Sequence, residues 1–98
     1  MSKYLLLWEV DNSRTPEDPA ARKNQWLAMQ TAVTKQMEAG KITDWGLFVG
    51  EGCGYCIVEG TAADVGLVTR TYTPYVQFEV KQVVDIYEAM RNTEGIEG

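Results

Sequence analysis

A chain of 98 residues is one domain's worth, large enough to bury roughly two thirds of its unfolded surface and with little reserve beyond that. A hydrophobic content of 45% and a charged content of 23% exclude a disordered or fibrous chain. The net charge of -5, with the nine Lys and Arg scattered from Lys3 to Arg91, argues against nucleic acid and anionic membranes as partners, because phosphate binding needs a concentrated positive field. The apolar run Leu5, Leu6, Leu7 and Trp8 is too short for a signal-peptide core and is closed by Glu9, and no stretch reaches the ~20 apolar residues of a membrane span. The expectation is a cytoplasmic protein that keeps Cys53 and Cys56 reduced.

Lys3 to Val10 reads as a strand that is apolar at consecutive positions, so both of its faces are expected to be covered. After a polar loop, Thr15 or Asp18 caps a helix whose first residue is Pro16 or Pro19, and Gly40 is its natural stop. Trp26, Met29, Val33 and Met37 recur at spacings of three and four and form one core-facing stripe. Ile42 to Val49 is a second strand and Tyr55 to Glu59 a third, joined by the glycine-rich Gly50, Glu51, Gly52, Cys53 and Gly54, which suits a hairpin.

Thr61 and Asp64 form a capping box for a second helix with Val65, Val68 and Tyr72 on one face, ended by Thr73 and Pro74. Tyr75 to Val83 alternates Val76, Phe78 and Val80 with Gln77, Glu79 and Lys81, the pattern of an edge strand with one wetter face. Asp85 and Glu88 cap a terminal helical segment, Ile86 to Arg91, so residues 1–91 make the domain and 92–98 a frayed tail. The order βαββαβ predicts an α+β fold: a ferredoxin-like, four-stranded antiparallel sheet with both helices on one face.

The opening KYLLLWEV, the hairpin DWGLFVGEGCGYCIVEG and the closing TPYVQFEVKQVVDIYEAM together resemble the dimeric α/β-barrel superfamily of ferredoxin-like proteins, in particular its small uncharacterised members. The resemblance covers nearly the whole chain and implies a homodimer. The superfamily includes monooxygenases, lactone isomerases, haem-degrading enzymes and YCII-related proteins, several of which use a His in the cleft. The chain has no His, a departure that removes the commonest haem ligand and the commonest general base.

Cys53 and Cys56 have the spacing of a redox or metal pair, but no helix N-terminus follows, no Lys or Arg is adjacent, and two ligands fall short of the four a structural zinc takes. A hairpin with one buried and one loop cysteine is the plainer reading, and no metal or cofactor is expected. Gly50, Gly52 and Gly54 lack the following helix of a phosphate-binding loop. Glu9 and Glu59 close the first and third strands; in the expected topology those strands run parallel, so the two carboxylates share one end of the sheet and Glu9 is the candidate general base.

The abundant Trp and Tyr residues are mostly core, with a minority free to line a cleft. Two functions follow from these features. The first is a homodimeric small-molecule-binding domain for an apolar or aromatic ligand, extending to cofactor-independent catalysis, with Trp8, Glu9, Tyr72 and Tyr75 around the site. The alternative is a non-enzymatic dimer module, a ligand sensor or assembly subunit. The sequence does not decide whether the protein is an enzyme.

Overall fold

A computed structural model describes residues 2–97. Four strands, β1 (Ser2–Val10), β2 (Asp44–Leu47), β3 (Cys53–Gly60) and β4 (Val76–Val83), form one antiparallel sheet in the order β2-β3-β1-β4. Three helices accompany it: α1 (Pro19–Glu38), α2 (Ala62–Tyr72) and α3 (Ile86–Glu94). The class is α+β.

β1 lies between β3 and β4, which accounts for its unbroken apolar run. Strand alternation sends Leu6 and Trp8 to the helix side, where both are buried, and Leu5 and Leu7 to the opposite face. β4 is an edge strand, as its alternation predicts. β2 is shorter than Ile42 to Val49 because its ends have other work. Ile42 leaves the strand to enter the core, and Phe48 and Val49 enter the hairpin turn, with Val49 fully in solvent. β3 is longer than Tyr55 to Glu59, taking in Cys53, which is therefore a strand residue and not a loop residue.

The helix starts follow the caps read from the sequence. Asp18 accepts from the Ala21 N–H at 2.9 Å with Pro19 as the first helical residue. Thr61 and Asp64 make a complete capping box on α2. Asp85 accepts from the Glu88 N–H at 2.8 Å. Gly40, at φ 74°, turns the chain out of α1 in the left-handed region that glycine enters without strain.

The two long helices pack on the same side of the sheet and differ in how closely they do so. α2 sinks Val65, Val68 and Tyr72 into the core with Leu6, Ile42, Cys56 and Val58. α1 buries no residue completely: Met29, Ala32 and Val33 touch the core, while Trp26 and Met37 remain more than 40% exposed. The expected core stripe thus faces the sheet without closing on it. Polar bonds also tie α1 to α2: the Tyr72 hydroxyl donates to Gln36 Oε1 at 2.5 Å, and Gln36 Nε2 donates to Thr71 Oγ1 at 3.1 Å.

α3 follows β4 after only Val84 and Asp85 and buries nothing against the body; Ile86 and Tyr87 are 66% and 70% exposed. The helix runs to Glu94 and so takes in the first residues of the expected tail; the outer limits of the expected domain and tail, Met1 and Gly98, lie outside the described residues. The molecule measures 61 × 27 × 21 Å with a radius of gyration of 16.3 Å. A compact chain of this length would have about 13 Å.

Candidate functional site

Where α1 stands off the sheet, a cavity of about 450 Å³ opens. Its floor is the helix-side face of the sheet, with Trp8, Trp45, Cys56 and Phe78; its roof is α1, with Trp26, Met29 and Val33; α2 closes one side with Val68 and Tyr72. The rim comprises Asn12 and the hairpin residues Gly50, Glu51 and Gly52. The volume falls within the range of small-molecule sites, and the walls have their usual character: mainly aromatic and aliphatic, with a few polar groups.

The floor is built by register. Trp8 on β1 stands opposite Gly54 on β3, and beyond β3 lies β2 with Trp45. Gly54 presents no side chain, so the Trp8 indole lies over β3 and stacks on Trp45, centroids 5.3 Å apart and planes 12° from parallel. A Cβ at Gly54 would run into the Trp8 ring and the Gly46 carbonyl. The Trp8 Nε1–H donates to the Tyr55 carbonyl at 3.1 Å, satisfying the indole donor and fixing the ring.

The titratable groups of the wall are Glu51, Cys56 and Tyr72. Burial pushes the Cys56 thiol up to about 11. Burial, and then the neighbouring Cys56, pushes the Tyr72 phenol up to about 12. Both stay protonated at neutral pH, so neither is a nucleophile or base there.

Of the residues singled out from the sequence, Trp8 and Tyr72 come together in the cavity wall. Tyr75 does not; it is 45% exposed, and its backbone links the Tyr72 carbonyl to the Asp11 N–H. Glu9 is exposed and pairs in register with Cys53 and Gln77, one position out of phase with Trp8 and so on the opposite face from the cavity. The parallel arrangement of the first and third strands is overturned: β1 and β3 are antiparallel, which sets Glu9 beside Cys53 and Glu59 beside Lys3, at opposite ends of the sheet. The crossover by α1 leaves β2 running in the same direction as β1, and the β2–β3 hairpin then reverses β3 relative to both. Glu59 is instead 3.7 Å from Lys3 in an exposed ion pair.

The cysteines are also separated by alternation. Cys56 faces the cavity, and Cys53, three residues earlier on the same strand, faces the other way. The Cys53 thiol donates to Glu51 Oε2 at 3.3 Å, and this bond, followed by burial, raises its pKa. Among the described residues no group of three or more metal-ligating side chains converges. The glycine-rich segment is a hairpin turn: Phe48 N–H donates to the Cys53 carbonyl at 2.9 Å, and Gly50 takes φ 82°.

No family model matches the chain, and no match was found among curated proteins. The cavity-lining residues that sequence reasoning did not assign to the candidate site include Trp26, Trp45, Phe78 and Glu51. The first three carried a signal in their aromatic character on cavity-facing positions of known periodicity. Glu51 carried only its place as the charged member of the glycine-rich turn.

Proposed function

We propose that the protein is a small-molecule-binding domain whose ligand, apolar or aromatic, occupies the cleft between α1 and the sheet. The observation that carries this reading is that α1 spans an aromatic-walled cavity instead of filling it, although its stripe of Trp26, Met29 and Val33 could close on the sheet. A small domain with marginal burial gains from filling such a space with a ligand. Binding is favoured over catalysis because two of the three titratable wall groups are held protonated, and Glu9, the candidate base in the sequence, faces away.

The ferredoxin-like reading of the fold is supported by the strand order, which from the other edge is β4-β1-β3-β2 with every neighbour antiparallel, and by α1 and α2 lying on one side. The homodimer reading is supported by the opposite face. Leu5, Leu7, Tyr55 and Ile57 form an apolar centre, flanked by the ion pairs Lys3–Glu59 and Lys81–Glu79, so a second copy meets it with matching apolar surface and with both signs of charge. Four strands at about 4.8 Å spacing and about 26 Å length give a face of roughly 500 Å², short of the roughly 800 Å² per partner of a stable interface. The uncovered apolar side of α3, with Ile86 and Met90, supplies the remainder. The same features suit an assembly subunit, in which the cleft senses a ligand and the dimer transmits it.

Native mass spectrometry of freshly purified protein tests both parts. The expected result is a species at twice the 11.0 kDa chain mass that carries, or takes up, one small molecule per chain. A monomer that takes up none of a panel of aromatic and fatty ligands contradicts the proposal.

A further inference from the structure

We infer that the ligand carries a positively charged nitrogen, and that the cleft is a site for an aromatic or aliphatic ammonium and not for a carboxylic acid. The inference rests on the small-molecule reading above and specifies its substrate class. Its basis is the charge of the wall. Among the described residues, Glu51 is the single charged side chain that lines the cavity; no Lys or Arg does so, and the chain has no His. The remaining polar side chains of the wall are the amides of Asn12 and Gln30, the Cys56 thiol and the Tyr72 hydroxyl, and the last already donates to Gln36.

An anion entering such a space gives up its hydration and finds no cation to replace it, a large penalty in an apolar site. A substituted ammonium meets the opposite situation. Its apolar substituents gain from burial, its charge is attracted to the aromatic wall of Trp8, Trp45 and Phe78, and Glu51 is a residue of the rim, its carboxylate held by the Cys53 thiol until a ligand draws it in. Trp26 is not counted among these rings, because the Arg22 guanidinium, one turn earlier on α1, sits 5.8 Å from its ring centroid without itself lining the cavity. The net charge of -5 adds a field that draws cations and repels anions. Glu51 is free to turn toward a ligand, since its one side-chain bond, to the exposed end of Cys53, is a weak thiol donor.

Isothermal titration calorimetry with three naphthalene probes of similar size but different charge tests this: (2-naphthylmethyl)trimethylammonium, 2-naphthaleneethanol and 2-naphthylacetate. The cation is expected to bind at least about ten-fold more tightly than the anion, with the neutral alcohol between them, a gap of about 1.4 kcal/mol. Glu51→Gln is expected to weaken the cation several-fold and leave the alcohol unchanged, while Glu38→Gln, exposed at the end of α1 and outside the cavity wall, changes none of the three. Equal or tighter binding of the acetate overturns the inference, as does a Glu51→Gln variant that keeps the full preference. If the alcohol binds and the cation has no advantage, the inference falls and the small-molecule reading stands. If none of the three binds, both fall.

Discussion

Trp8 and Trp45 meet face to face across β3, ring centroids 5.3 Å apart, over the backbone of Gly54. The stack is the floor of the cleft, and it exists because Gly54 leaves the space above β3 to the Trp8 ring. A methyl group there meets the ring and, on the neighbouring strand, the Gly46 carbonyl, which cannot move without breaking the sheet. Gly54→Ala is expected to lower stability by about 3 kcal/mol and to abolish the exciton signature of the stacked indoles in circular dichroism. Gly46→Ala is the milder change. Its methyl group meets the Tyr55 ring, a half-buried side chain at the sheet surface that can swing aside at the cost of its 2.8 Å bond to Asp44. Urea denaturation of the two variants should rank them in that order.

The two cysteines should differ in reactivity although they lie three residues apart. Cys56 is buried with its pKa pushed up to about 11, and Cys53 is partly exposed at the start of β3. A thiol reagent at neutral pH is expected to modify Cys53 slowly, since its bond to Glu51 also holds it protonated, and Cys56 more slowly still, since burial in the cleft wall holds its thiol protonated. Two equally fast thiols, or a Cys53–Cys56 disulfide formed without unfolding, would contradict the opposite-face placement.

Alkaline pH should destabilise the fold through the cavity wall. Unfolded, the Cys56 thiol ionises from its ordinary value of 9.0 and the Tyr72 phenol from 10.0; folded, they hold their protons to about 11 and about 12. The stability this contributes is complete below pH 9, and it is lost as pH rises through 11 and 12 because the unfolded chain releases protons that the folded chain keeps. Urea midpoints measured from pH 8 upward should fall, and Cys56→Ala, less stable at pH 8, should fall less steeply between pH 9 and 11. Parallel curves for the two proteins would contradict the assignment.

The start of α2 gives the opposite sign at acid pH. The backbone and side-chain bonds from Thr61 hold the Asp64 carboxyl below its ordinary 3.8, so its contribution is present at neutral pH and is lost as pH falls through and below that value. Asp64→Asn should be less stable than wild type at pH 7, with the gap closing in acid. Thr61→Ala should cost about 1 kcal/mol at pH 7, read by thermal denaturation.

What the chain made legible was largely local chemistry. Asp18 with Pro19, Thr61 with Asp64, and Asp85 mark helix starts because short polar side chains at those positions satisfy otherwise orphaned N–H groups, and the structure uses all three. The alternation of Val76, Phe78 and Val80 marked β4 as an edge strand for a comparable reason. Relations between elements were less legible. The apolar run Leu5 to Trp8 reads identically whichever way its neighbours run, so it carried no warning that β3 opposes β1 and takes Glu59 away from Glu9. The stripe of Trp26, Met29 and Val33 shows which side of α1 faces the sheet but not the distance at which it stands, and that distance is the cavity. Glu51 reaches the rim through the fold of the hairpin, a placement no periodicity records.

The central claim is that the space between α1 and the sheet receives a small molecule, and the most direct measurement is NMR chemical-shift mapping with 2-naphthaleneethanol on isotopically labelled protein. The account predicts saturable shifts in the indole N–H signals of Trp8, Trp26 and Trp45 and in the methyl groups of Met29, Val33 and Val68, with Leu5, Leu7 and Ile57 on the opposite face unmoved. Shifts that cluster on that opposite face, or that rise linearly without saturating, would contradict it.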